Sequence, residues 1–240
     1  MLCNLLQIPD AHAGLVVDVG YGADAVTTIE TFHRLRARND ALRIIGVEID
    51  RERVQAAMPF AQSGRVEFRL GGFELPLAFD ERPGLIRAMN VLRQYPEEEY
   101  DDARQRLTDV LAPNGVLLEG TSSPSGRLLT ANLWCRDGSG DVGHRGVVLS
   151  VNLRRRWTPR EVQTVLPKNW IHKCEPGSDL DRWFAEWERA VQELRDPRAQ
   201  HRTARGVFVQ AAHRLREQGN NVDLRPSLLA RGFLMTRWDV

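Results

Sequence analysis

Apolar and polar positions follow one rhythm in the first half of the chain and another in the second. The first half alternates short β-branched runs with segments of helical period. Leu15-Val16-Val17-Asp18-Val19 is such a run, ended by Gly20. Residues 24–37 then space Ala25, Val26, Ile29, Phe32 and Leu35 as one helical face. Ile44–Ile49 is a second apolar run and Val54–Phe60 a short helix. Val66–Leu70 alternates and stops at Gly71-Gly72, and Leu85–Val91 predicts another strand. Glu97–Leu111 predicts a helix with acids at its start, and Val116–Gly120 closes the series. Strands alternating with helices imply a parallel sheet covered on both faces.

In the second half the period changes to two. Leu129, Ala131, Leu133 and Cys135 alternate with polar or aromatic neighbours, and Val147, Leu149, Val151 and Leu153 repeat the pattern. Joined by the glycine-rich connection Arg136–Gly146, the two runs predict an antiparallel hairpin with a flap-like loop. Thr158-Pro159-Arg160-Glu161 combines a capping box with proline at the first helical position. Residues 179–195 set Leu180, Trp183, Phe184, Trp187, Val191 and Leu194 on one helical face. A further helix over about 202–218 and a strand over Leu234–Trp238 end the pattern. The expected fold is α/β: a doubly wound, mostly parallel sheet of about seven strands with helices on both faces, antiparallel strands near the C-terminal end and an added helical lobe. Residues 1–122 form its first half and 123–240 its second, within one structural domain.

Composition adds an asymmetry. The 240 residues carry a net charge of +1, but residues 1–120 hold −6 and residues 121–240 hold +7. All six tryptophans (134, 157, 170, 183, 187 and 238) lie in the second half. Of the 33 basic residues only Lys168 and Lys173 are lysine, which reads as codon bias of a GC-rich genome. No apolar run approaches the roughly 18 residues that span a bilayer, and the start MLCNLLQIPD has no basic region of a secretory signal. Cys3, Cys135 and Cys174 are odd in number and far apart, so reduced thiols and a cytoplasmic location are expected. The histidines (12, 33, 144, 172, 201 and 213) have no metal-ligand spacing, and no metal is expected.

The chemistry concentrates in Asp18-Val19-Gly20-Tyr21-Gly22-Ala23-Asp24-Ala25. A glycine turn between a first strand and a helix lets a ligand approach the backbone, and Gly20-x-Gly22-x-x-Ala25 fits a nucleotide fingerprint. Glu48, ending the second strand, suits the two hydroxyls of a ribose. Asp24, near the first helical turn, would cap the free N–H groups and repel the pyrophosphate of NAD. S-adenosyl-L-methionine (SAM) has no phosphate and carries a sulfonium cation. Asp18 is an acid within an apolar strand; burying it costs several kcal/mol unless a ligand ammonium or loop N–H groups meet it. These features suit SAM better than NAD.

With these residues the chain resembles the class I SAM-dependent methyltransferases, and within them a bacterial group. Asp18, Gly20 and Gly22 match the acid-x-Gly-x-Gly motif, with Asp24 where a third glycine is usual, and Glu48 matches the second motif. Leu70-Gly71-Gly72-Phe73-Glu74 stands where that family contacts adenine, with Gly72 in place of the usual acid. Met89-Asn90-Val91-Leu92-Arg93-Gln94-Tyr95 resembles its fourth-strand segment, Leu111–Leu118 its entry to strand five, and Leu228-Leu229-x-x-Gly232-Phe233 its late helix-to-strand step. The resemblance covers residues 14–121 and implies Asp18, Gly20, Tyr21, Gly22, Glu48, Ile49, Gly72, Phe73 and Asn90 as SAM contacts. Arg93 and Tyr95 are then substrate candidates, and Glu119 and His144 candidates for a base.

The activity so implied is in-line methyl transfer to a small-molecule acceptor, aromatic or acidic to suit the arginine- and tryptophan-bearing half, and no membrane partner. An RNA methyltransferase using the +7 half, a non-catalytic SAM-binding relative and an NAD-dependent oxidoreductase are the alternatives. Arg154-Arg155-Arg156 reads as a solvated strand end, and Trp183 and Trp187 as core.

Overall fold

A computed structural model describes residues 14–196 and 203–238. The N-terminal stretch read for targeting, with Cys3, His12 and His201, lies outside the described residues. The chain forms two compact units. One runs to Glu119 and takes in Leu133–His144; the other holds Gly120–Asn132 and the described residues from Arg145 onward.

In the first unit, strands β1 (Leu15–Val19), β2 (Arg43–Glu48), β3 (Val66–Leu70) and β4 (Leu85–Met89) are followed by the start of β5 (Val116–Ser122). They are ordered β3-β2-β1-β4-β5, and β1/β2, β2/β3 and β1/β4 are parallel. The chain steps outward from β1 to β3 and then returns to the other side of β1. That reversal between β1 and β4 is the switch point at which open α/β sheets hold ligands, beyond the carboxyl ends of the strands.

Every residue of β1 is buried, so both faces need cover. On one face α1 (Val26–Arg36) buries Thr28, Phe32 and Leu35, at spacings of four and three. The helix starts two residues later than its periodicity predicts, which leaves Val26 58% exposed. On the other face Val17, Ile45, Ile86 and Leu117 pack with Tyr100, Ala103 and Leu107 of α3 (Tyr100–Asp109). Between them in sequence, α2 (Arg51–Ala57) is capped by Asp50, whose Oδ1 accepts from the backbone N–H of Glu52 and Arg53.

Four more strands follow: β6 (Leu128–Arg136), β7 (Val142–Val151), β8 (Val222–Asp223) and β9 (Phe233–Thr236). The described residues thus form nine strands, not about seven. The two residues of β8 are too few for any periodicity to announce, and β7 extends back through glycines that looked like loop. Asp137 N donates to Asp141 O at 2.8 Å, so the expected flap is a short turn over 137–141.

In the second unit β7/β9 and β9/β8 are antiparallel. At Gly146 a Cβ would meet Thr236 O at 2.7 Å, so glycine lets β9 close on β7. Helices α4 (Pro159–Gln163), α5 (Lys168–Ile171), α6 (Asp179–Arg195), α7 (Ala204–Glu217) and α8 (Pro226–Leu229) cover this sheet. The capping box at Thr158 and Glu161 is present, and α6 buries the face that its periodicity predicts. Trp157, Trp183 and Trp187 lie in the core of this unit. Among the described residues no helix is long and apolar enough to cross a membrane.

Candidate cofactor site

Two glycines set the loop after β1. Gly20 (φ +63°) donates its N–H to Val47 O at 2.7 Å. A Cβ there would meet Val91 Cγ2 at 2.6 Å, so only glycine lets the loop rest on the segment that follows β4. Gly22 (φ +84°) needs glycine for its backbone alone, since the space beside it is open. Its N–H donates to Glu48 Oε2 at 3.0 Å. Glu48 is 4% exposed, and its Oε1 accepts from the N–H of Ile49 at 3.0 Å and of Asp50 at 3.3 Å. The strand-end acid and the glycine loop are therefore tied directly together, and Oε2 keeps one acceptor site.

Asp24 does not cap α1. Ala25 is the capping residue, no side chain bonds the first turn, and Asp24 is exposed. The expected cap fails because the helix begins at Val26, one residue too late for Asp24 to reach it as its N-cap. Tyr21 is buried, its ring edge-on to Phe68 at 5.4 Å. Its hydroxyl has no hydrogen-bond partner among the described residues. Burial, with the nearby Glu48 charge second, pushes that phenol up to about 12.

Asp18 is fully buried and its two oxygens are both bonded. Oδ1 accepts from Arg87 Nη1 at 2.6 Å and Oδ2 from Thr28 Oγ1 at 2.7 Å. Residues 18 and 87 are partners in the β1/β4 register. The donors expected from a ligand ammonium or loop N–H groups come instead from the neighbouring strand and the helix above. Arg87 carried the same signal as Asp18, a charge inside an apolar run, but only the β1/β4 register joins the two.

At the ends of β3 and β4, Phe73 and Tyr95 bring their rings to 4.9 Å at 60°. Gly72 N–H is taken by Glu74 Oε1 at 2.8 Å, and that bond holds the Glu74 carboxyl below its ordinary range. Ile49, just past β2, is 69% exposed. Asn90 adopts φ +63° at the end of β4, and its carbonyl accepts from Gln94 Nε2 at 2.5 Å; Arg93 is exposed nearby in sequence.

The two base candidates each contact an aromatic side chain. Glu119 is 1% exposed inside β5, where Tyr100 Oη donates to its Oε1 at 2.6 Å. Burial and then the Glu119 charge raise the Tyr100 phenol well above its ordinary value. His144 lies against the Trp134 ring at 4.7 Å, and Arg104 covers that ring at 4.4 Å. Among the described residues no three His, Cys, Asp or Glu side chains group as a metal site.

The fold and the loop define a mixed α/β protein with a glycine-rich turn at the switch point of its sheet. No protein-family model matches the chain, and no curated protein matches it. Among solved structures it is similar to the [4+2]-cyclase SpnF, at 25% identity over 50% of this chain and 44% of that one, with a TM-score of 0.38. It is also similar to a chain of the Haloferax volcanii complex of the Trm112 methyltransferase activator and a putative methyltransferase (21% identity, 49% and 48% covered, TM-score 0.38). A third is NcsB1, an O-methyltransferase of neocarzinostatin biosynthesis solved with S-adenosyl-L-homocysteine and 1,4-dihydroxy-2-naphthoic acid (19%, 50% and 36%, TM-score 0.36). The chain thus spans less than half the length of these structures, and likenesses of this extent assign it no activity.

Proposed function

We propose that the glycine loop beyond β1, at the switch point with β4, binds SAM and that the protein is a methyltransferase for a small-molecule acceptor. The observation that carries this reading is the Gly22–Glu48 bond. A dinucleotide needs the free N–H groups of this loop for its pyrophosphate. Here a carboxylate already accepts from Gly22, and Asp24 adds a second negative charge at the same turn. Both oppose a phosphate and suit a cationic nucleoside. The open space beside Gly22 and the unused acceptor site on Glu48 Oε2 fit a ribose hydroxyl.

In this reading Glu48 holds the ribose, while the Phe73 ring and backbone with Ile49 border the adenine. Gly20, Gly22 and Asn90 line the amino-acid end. Asp18 acts through Arg87 and Thr28, fixing β1 against β4 rather than touching the ligand. SAM supplies an electrophilic methyl group, so the protein's task is to align an acceptor with it and exclude water. Arg93 and Tyr95, in the loop after β4, are the acceptor-binding candidates, and the Phe73–Tyr95 ring contact supports that reading. A second reading, SAM binding without turnover, is favoured by Glu119, whose carboxylate is buried and bonded to Tyr100.

Thermal denaturation tests the cofactor step. SAM or S-adenosyl-L-homocysteine at a hundredfold excess over Kd adds about 2.7 kcal/mol of stability. The expected result is a rise in Tm that Glu48→Ala abolishes. No shift with either compound would remove the proposal.

A further inference from the structure

The second unit has a concentration of positive charge that its own acids do not meet. A cavity of about 350 Å³ beside β8 and β9 is bordered by Arg145, Arg216 and Arg237, together with Asn221, Thr236 and Asp223. The close approach of β9 to β7 at Gly146 brings two of the arginines together, and Arg237 Nε donates to the carbonyl of Arg145 at 2.9 Å. Arg216 comes from the last turn of α7.

None of the three guanidinium groups pairs with a carboxylate among the described residues. The single acid of the lining, Asp223, is already taken: Oδ2 lies 2.6 Å from Arg225 Nη2, and Oδ1 accepts from Arg225 N at 2.9 Å. A cation in the last turn of a helix is favoured by the helix dipole, which accounts for Arg216 but not for Arg145 on β7 or Arg237 just past β9. Three unneutralised cations thus border one cavity, and a bound anion would meet all three.

The size of the cavity selects among anions. About 350 Å³ is at the small-ligand end of pocket volumes, whereas nucleic acid needs an extended basic surface. Guanidinium forks match phosphate oxygens in bidentate fashion. A second cavity of about 330 Å³ shares Asn221 and Arg237 with the first; there Asp179 is already paired with Arg182, and Glu186 accepts from Asn220 Nδ2 at 2.9 Å. The unmet charge therefore lies on the Arg145–Arg216 side, and the neighbouring space is free for an uncharged remainder of the ligand.

We propose that this cavity binds a small phosphorylated ligand carrying at least two negative charges, such as a phosphate ester or pyrophosphate. The site is independent of the methyl-transfer reading. Titration calorimetry of the full chain with inorganic pyrophosphate at low ionic strength tests it. The expected result is one saturable site whose Kd weakens about tenfold in Arg216→Ala and again in Arg237→Gln, the scale of one charge-assisted contact each. Arg154→Gln, in the exposed turn after β7, leaves Kd unchanged. Arg216 is an exposed helix-end residue, so its variant keeps the fold, which circular dichroism checks. Absence of saturable binding, or binding unaffected by Arg216→Ala and Arg237→Gln, overturns the proposal. So does an RNA oligonucleotide that binds through the same arginines more tightly than pyrophosphate, which would make this a nucleic-acid surface.

Discussion

Buried carboxylates in the first unit and buried indoles in the second are held under different terms. In the first, the buried carboxylates are all met. Asp18 has Arg87 and Thr28, Glu48 has three backbone N–H groups, and Glu81 has Arg69, Arg43 and the N–H of Ala78. In the second, the indole nitrogens of Trp157, Trp183, Trp187 and Trp238 have no hydrogen-bond partner among the described residues. The magnitudes explain the contrast. An unmet neutral donor costs about 1–3 kcal/mol, while burying an aromatic side chain of roughly 150–250 Å² stabilises by about 4–6 kcal/mol. A tryptophan can therefore leave its N–H unpaired and still favour the core. A carboxylate has no such surplus, so its donors must be built in, and these donors fix strand register.

The largest effect that would break this comparison is at Asp18. Asp18→Leu strands the Arg87 guanidinium and is expected to cost about 3–5 kcal/mol in urea denaturation. Adding Arg87→Met to it should recover a substantial part. A single variant that costs less than about 1 kcal/mol would mean the pair does not hold β1 to β4.

Next in size is a difference between two tryptophans. Trp170 is the exception in its unit, because its Nε1 donates to Asn132 Oδ1 at 2.7 Å. Trp170→Phe removes that donor from a buried amide, whereas Trp157→Phe removes an N–H with no partner among the described residues. We expect Trp170→Phe to cost about 1–3 kcal/mol more than its loss of area accounts for, and Trp157→Phe to show no such excess. Equal excesses would remove the distinction between met and unmet indoles.

The smallest effect is the pH response of the network at the β2–β3 edge, because its arginines are partly exposed and screened. Hydrogen bonds from Arg69, with further donors behind, bring the Glu81 carboxyl down from 4.5 to about 2. A carboxyl depressed in the folded state adds stability that is complete above its unfolded value and lost as pH falls toward the folded one. Stability should therefore decline between about pH 4.5 and 2, and Glu81→Gln should flatten that slope. A slope unchanged in the variant would assign the acid response to other carboxyls.

Much of the first unit was legible in the sequence because its signals are local. A β-branched run before Gly20, a helix after it and an acid ending the next run can all be read within 35 residues. What was not legible depends on pairing. Asp18 and Arg87 are 69 positions apart, and neither names its partner until the strand order is known. The strand read over Val116–Gly120 held Glu119 one residue from its end. In fact β5 continues to Ser122 and Glu119 is interior. Asp24 missed its expected role because α1 starts at Val26, two residues later than its periodicity predicts. In the second unit α6 was fully legible, since an amphipathic helix of 17 residues repeats its signal several times. The three-arginine cavity was not, because it depends on where a two-residue strand and a helix end meet.

The central claim is that the first unit's glycine loop, with its N–H turned to Glu48, takes a cationic nucleoside rather than a dinucleotide. Titration calorimetry of the full chain with SAM and, separately, with NAD tests this most directly. The account predicts one saturable SAM site, lost in Gly22→Val, and no measurable heat from NAD. Saturable NAD binding with no SAM binding would contradict it.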